Sequence, residues 1–384
     1  MKYSSILRTT GCYLICVSSS IYVNPLAAEA LHWAGDFRTG YFSQEREARS
    51  GVNSSRDEGR VRLRFGGQYK ANDSWQFKLR AAGRSYLEKN NPNSEIKIFS
   101  EIPAGDGLRA GDVTLDEIYA QYKKEKMDLK FGRFQTKMEL EGVAKKSLDR
   151  NDSPNTDITW TDGIYTKIKL EDWLHHFILQ YNYPTGATEV RRSPLDFSSS
   201  ESRLSAFWAL ENRKKTGAFV QRGIDITYLP SALCEDGTTS CNTRKDYITI
   251  VGRLAMQWPI SSSGTKFMLG TEAGYAVNTQ LSSVARTGAS GNADGVAWQL
   301  TFNFIDIAPK HSMGLVYANA GAGWLISPDF RNNNSLVELR YKWAIDKRNS
   351  LEARIRQRQD LQTLVGETRK QIDDDLYVRY TWKF

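Results

Sequence analysis

Apolar and polar residues alternate along most of this chain. Val61, Leu63 and Phe65 oppose Arg60, Arg62 and Arg64. Trp75, Phe77, Leu79 and Ala81 oppose Gln76, Lys78, Arg80 and Ala82, and Val337, Leu339, Tyr341 and Trp343 oppose Glu338, Arg340 and Lys342. Side chains of a strand point to opposite faces with a period of two, so each segment predicts a strand with one apolar and one polar face. The pattern predicts sixteen strands: 32–44, 58–71, 74–87, 112–124, 127–137, 158–170, 174–183, 203–212, 217–229, 246–258, 265–278, 295–306, 311–320, 334–345, 350–358 and 374–384. Short connections at 71–73, 124–126, 171–173, 213–216, 259–264, 307–310 and 345–349 alternate with longer ones at 45–57, 88–111, 138–157, 184–202, 230–245, 279–294, 321–333 and 359–373. Alternation within strands suits a soluble sandwich equally well. Alternation of short and long connections, with an even strand count, points instead to an all-β transmembrane antiparallel barrel.

The two ends of the chain add independent signals. In Asp374–Phe384, Leu376, Val378, Tyr380, Trp382 and Phe384 form one apolar face that runs to the last residue. This ending resembles the C-terminal insertion signal of bacterial outer-membrane barrels, which implies recognition of Phe384 by the barrel-assembly machinery. At the other end, Lys2 and Arg8 precede an apolar stretch from Gly11 to Val23, and Ala28-Glu29-Ala30 fits a small-residue cleavage site. Residues 1–30 are therefore expected to be a signal peptide, cleaved after Ala30 or, as the second choice, after Ala28. The stretch is too short for a spanning helix. The expected location is the outer membrane of a Gram-negative bacterium.

The architecture and ending resemble the sixteen-stranded outer-membrane porins over essentially the whole mature chain. Leu115–Lys137 and Ser335–Gln359 look like strand–turn–strand hairpins of proteobacterial porin-like proteins. A PEFGG-type loop signature is missing, which leaves open a general porin, a phosphate-selective type or a further branch. The resemblance implies a water-filled channel for passive diffusion of small hydrophilic solutes. It also implies a homotrimer, contact with outer-membrane lipid and lipopolysaccharide, and a constriction loop after the fifth strand, at 138–157.

Composition narrows the picture further. Removing residues 1–30 takes away Lys2, Arg8 and Glu29, leaving 50 basic and 43 acidic residues and a net charge of +7. The excess is spread along the chain without a basic tail, which argues against a nucleic-acid partner. Cys234 and Cys241, in CEDGTTSC, are read as a loop disulfide formed in an oxidising periplasm; with no His nearby, a metal site is the weaker reading. Nothing in the sequence asks for a cofactor.

In a barrel of this size the chemistry lies on the inward faces. Those faces are basic where the first and last strands would meet: Arg60, Arg62, Arg64, Lys78 and Arg80, then Arg340, Arg354, Arg356, Arg358 and Arg379. Against them stand Glu338, Glu352 and Asp375. Inward neighbours about 7 Å apart along a strand lie within a Debye length, so the expectation is a weak anion preference. Loop 138–157 offers Glu139, Glu141, Asp149, Arg150 and Asp152 as constriction residues, with Lys145, Lys146 and Asp157 beside them. Folded inward, its acids would face the basic wall and set up a transverse field; folded outward, they would bind divalent ions or lipid headgroups. Trp75, Trp258, Trp298, Trp343 and Trp382 are expected at the membrane interfaces. An enzyme is not expected: the four histidines, His32, His175, His176 and His311, have no evident Ser–Asp partners, and no HExxH, phosphate-loop or dinucleotide motif occurs. The alternatives are a structural barrel that sheathes a partner and, more remotely, an outer-membrane hydrolase.

Overall fold

The computed structural model describes residues 30–87, 95–96, 108, 110–153, 157–185, 191–193, 203–234, 244–262 and 264–384. Sixteen strands build one closed antiparallel barrel: β1 (Leu31–Glu47), β2 (Asn53–Lys70), β3 (Trp75–Leu87), β4 (Asp112–Lys124), β5 (Met127–Phe134), β6 (Thr161–Leu170), β7 (Trp173–Thr185), β8 (Arg203–Asn212), β9 (Phe219–Cys234), β10 (Arg244–Pro259), β11 (Lys266–Ala276), β12 (Val296–Ala308), β13 (His311–Ala320), β14 (Asn334–Trp343), β15 (Asn349–Asp360) and β16 (Ile372–Lys383). Two short strand pieces, Glu95–Ile96 and Arg191–Ser193, and a single helical turn, Ser282–Ala285, lie in the longer connections.

Which face is wet separates barrel from sandwich. Leu63, Phe65, Phe77, Leu79, Val337, Leu339 and Leu376 are exposed on the outside, whereas Arg62, Arg64, Asp116, Glu338 and Arg354 are buried within. A soluble sandwich would put the apolar face inside; here it forms the outer surface, as a lipid-facing wall does. Trp75, Trp258, Trp343 and Trp382 are likewise exposed.

Closure depends on β1, which pairs with β2 on one side and β16 on the other. The seam ends in reciprocal hydrogen bonds: the Gly35 N–H donates to the Phe384 carbonyl at 2.9 Å, and the Phe384 N–H to the Gly35 carbonyl at 3.1 Å. A Cβ on Gly35 would lie 2.5 Å from the Phe384 ring, so this close approach requires glycine. Phe384 also packs against Trp382 and Phe65, whose ring centroids lie 4.8 and 6.3 Å away.

The structure corrects several expected boundaries. β1 and β2 run on to Glu47 and Asn53, which are paired, so the connection is 48–52 rather than 45–57. At this rim both faces are polar, and backbone pairing continues where hydrophobic alternation has stopped signalling it. β5 ends at Phe134 and β6 begins at Thr161, giving residues 135–137 and 158–160 to the loop between them. Cys234 is disulfide-bonded; its expected partner, Cys241, lies outside the described residues.

Candidate functional site

Residues 135–153 leave the wall and cross the bore as an irregular hairpin, and 157–160 lead back into β6. The hairpin's base is clamped by Asp152, whose carboxylate accepts from the Thr136 N–H at 2.8 Å, the Thr136 hydroxyl at 3.0 Å and the Thr161 hydroxyl at 3.1 Å. Its arms pair through Met138 N–H to Arg150 O and Leu140 N–H to Lys146 O, each 2.9 Å. Backbone groups inside a protein need partners, and the far wall supplies them. The Val143 N–H donates to Asn303 on β12 at 2.8 Å, the Glu141 N–H to Gln221 on β9 at 2.7 Å, and the Leu148 N–H to Glu272 on β11 at 3.0 Å. Arg340 on β14 donates to the Ala144 carbonyl at 3.2 Å, and Lys146 pairs with Glu338 at 2.9 Å. Burial pulls the Lys146 ammonium down to about 8, against the opposing pull of Glu338 and Asp329.

A second connection, 321–333, packs beside the hairpin. The Trp324 indole N–H donates to the Leu148 carbonyl at 3.0 Å, and the Ser327 hydroxyl to the Ser147 carbonyl at 3.0 Å. The Asp329 carboxylate accepts from the Ser147 N–H and the Asn151 amide. Trp324, Ile326 and Phe330 join Ala144 and Leu148 of the hairpin in one apolar cluster with Val251, Ala276, Ala297, Val316, Ala318 and Leu336 of the wall. Beneath it, Arg253 on β10 binds Asp225 at 2.5 Å and Glu272 at 2.8 Å, with Asp149 at 3.6 Å. The inner face of β9–β14 is thus occupied by packed loops. Partly accessible charges mark the surface left open: Asp36, Arg38, Arg80 and Arg379 on the seam, Lys342 on β14, and Lys137, Glu139 and Glu141 on the hairpin.

The expected basic residues do converge on the seam, but most meet carboxylates. Arg60 pairs with Glu58 and stacks over Phe42 at 3.6 Å. Arg62 pairs with Asp36 at 2.5 Å; Arg64 reaches Asp116 at 3.1 Å, which also takes Arg80 at 2.8 Å. Arg340 and Arg379 share Glu352, at 2.9 and 2.8 Å. Arg354, Arg356 and Arg358 face Asp375, and Lys78 is half-buried on β3. The acids Asp36 and Glu58 are in phase with the inward faces of β1 and β2 and could have been found by extending the phase analysis; Asp116 and Glu117 are consecutive on β4, where a register shift beside Arg80 turns both inward, so strict alternation would have found one of them. Arg62 and Arg64 also donate to the Ser153 hydroxyl, each at 2.9 Å, so they anchor the hairpin as well as line the wall.

Of the loop residues, Glu139 and Glu141 remain accessible. Asp149 and Arg150 are buried, and all of the other three are engaged within the protein. Asp149 turns to Ser147 and Arg253, Arg150 donates to Thr161 at 3.0 Å and Gln180 at 2.9 Å, and Asp152 clamps the loop base. A loop folded into a barrel spends its polar side chains on holding itself there, which sequence charge alone does not reveal. Among the histidines, His175 stacks on Phe177 and His176 hydrogen-bonds the Tyr165 hydroxyl at 2.7 Å.

Comparison with solved structures agrees with this geometry. OprB of Pseudomonas putida superposes with a TM-score of 0.60 at 10% identity, covering 94% of this chain and 96% of its own. The fold is that of the sixteen-stranded outer-membrane porins. OccK8 (OprE) of Pseudomonas aeruginosa matches with a TM-score of 0.52 at 12% identity over 93% of this chain and 99% of its own. OmpF of Salmonella typhi, solved with daunomycin, matches with 0.52 at 9% over 92% and 97%. No protein-family model and no curated protein matches the sequence.

Proposed function

We propose that this protein is an outer-membrane channel for passive diffusion of small hydrophilic solutes, with a weak preference for anions. The observation that carries this reading is the inverted wall, with an apolar exterior around a charged interior that only part of the barrel fills with loops. The likeness in fold to porins supports the same reading. Seam carboxylates reduce the cationic field to a modest excess, which favours weak over strong selectivity. The leader at 1–30, recognition of Phe384 by the assembly machinery, and contacts with lipid and lipopolysaccharide belong to the same reading. So does a homotrimer, for which an outward apolar concavity of about 990 Å³, lined by Trp33, Phe65, Gly66, Gly67, Gly132 and Gly163 among others, offers a face. Planar-bilayer recordings under a KCl gradient test the proposal. Open-channel current with a mildly anion-selective reversal potential is expected. Absence of conductance would favour a partner-sheathing barrel, and cation selectivity would overturn the anion preference.

A further inference from the structure

We propose that the outer face of the barrel, at the rim of its short connections, carries a site for one anionic phospholipid, seated between Lys126 and Arg222. From the fold the proposal takes only that this rim meets the phospholipid leaflet, since the short turns of such barrels face the periplasm. It does not need the barrel to conduct. A cleft of about 400 Å³ opens there outside β6–β8, lined by Lys126, Leu170, Glu171, Trp173, His175 and Leu210. Strand phase builds it. Trp173, His175 and Phe177 take alternate positions on β7, and His176 between them is buried against Tyr165. The His175 ring centroid lies 6.3 Å from that of Phe177 and 6.4 Å from that of Trp208. Beyond the cleft the same outward face continues through Phe177, Leu179 and Tyr181, all exposed, as a track for an acyl chain.

Charge selects the headgroup. Residues 123–128, 167–173 and 213–222, which form this part of the rim, hold nine basic and four acidic residues. The next short connection, 259–264, holds no charged residue, so the excess is local. Lys167, Arg213 and Lys214 take Asp128, Glu211 and Asp172 at 3.4, 2.9 and 2.7 Å. Lys126 and Arg222 pair with no carboxylate among the described residues. Arg222 is the more constrained of the two. Its Nη2 donates to the Asn212 side chain at 3.1 Å, and its guanidinium lies 5.8 Å from the Trp173 ring centroid. Its Nε has no hydrogen-bond partner. The guanidinium is thus fixed beside the cleft with donor capacity unspent. A phospholipid supplies what this arrangement lacks: phosphate oxygens for the two cations, and a chain for the aromatic track. Basic residues near a membrane surface attract anionic lipid, and Trp settles at headgroup depth. Glu171 offsets one cation, which leaves one positive charge for a singly charged headgroup.

Native mass spectrometry of the detergent-solubilised full-length barrel tests the site, with phosphatidylglycerol and phosphatidylethanolamine of matched chains as probes. One phosphatidylglycerol per chain should be retained, about fivefold more strongly than phosphatidylethanolamine. Lys126→Gln and Arg222→Gln should each weaken that retention about fivefold, the loss expected for one basic contact with an anionic surface. Lys126 is exposed, so its variant keeps the test readable if Arg222→Gln disturbs assembly. Excess glycerol phosphate should not displace the lipid, because the chain contacts hold it as well. Equal retention of the two lipids, a preference for phosphatidylethanolamine, displacement by glycerol phosphate, or wild-type retention in Lys126→Gln would each overturn the proposal. So would an equal loss in Lys347→Gln, which removes one charge from the rim between β14 and β15.

Discussion

The inner face of β9–β14 and the inner face of the seam from β14 through β4 are built from the same alternating strands, yet they bury their residues for opposite purposes. On the first, Val251, Ala276, Ala297, Val316 and Ala318 meet Trp324, Ile326 and Phe330, and apolar packing holds two loops in place. On the second, arginines meet carboxylates in chains, with Asp36, Asp116, Glu352 and Asp375 spaced along the wall. An apolar patch in a wet lumen attracts a cover, so the chain supplies one. On the seam the charged side chains satisfy one another, and Arg62 and Arg64 also reach the hairpin through Ser153. The difference places the open path beside the seam.

Breaking the packed side should have the largest effect. Trp324→Ala removes the side chain that touches both inward segments and should cost about 3–5 kcal/mol of local packing. Limited proteolysis should then cut within 135–160, and single-channel conductance should rise; an unchanged digest and conductance would mean that the loops are held by polar contacts alone. Arg253→Met strands Asp225 and Glu272 without their cation, a loss of about 3 kcal/mol or more. The triple variant Arg253→Met/Asp225→Asn/Glu272→Gln should recover most of the denaturant midpoint. Failure to recover it would show that the cluster acts through its shape and not its charge.

The seam responds in selectivity rather than stability. Asp375→Asn removes the one carboxylate shared by Arg354, Arg356 and Arg358, so the reversal potential should move further toward anions. A shift toward cations would mean that these arginines do not face the conducting path. Replacing Arg64 is a less direct probe, because Arg64 also holds Ser153; its loss should change conductance and selectivity together.

The strands were legible because lipid outside and water inside impose a period of two on nearly every segment. The rim of β1–β2 was not, since above the membrane both faces are polar and only backbone pairing continues to Glu47 and Asn53. The hairpin's course was readable only by resemblance: Asp149, Arg150 and Asp152 look like lumen charges in sequence but serve as internal ties. The second inward segment did leave a trace. Trp324, Leu325, Ile326 and Phe330 are too apolar for an exposed connection, and a run of that kind signals a buried one.

The smallest expected effect tests whether charge also pins the packed side. Lys146 sits in the hairpin, 2% exposed, 2.9 Å from Glu338, with burial holding its ammonium down at about 8. Released into water, a lysine returns to about 10.4. Between those values the inserted loop binds fewer protons than a released one, so raising the pH through this window favours insertion. Below pH 8 the ammonium is charged in both states and its desolvation opposes insertion in full. Flicker to larger conductance substates should therefore decline from pH 7.5 to pH 10, and Lys146→Met should flatten the dependence. Flicker that grows over the same range would mean that the Lys146–Glu338 attraction outweighs desolvation and that the loop is held chiefly by that ion pair.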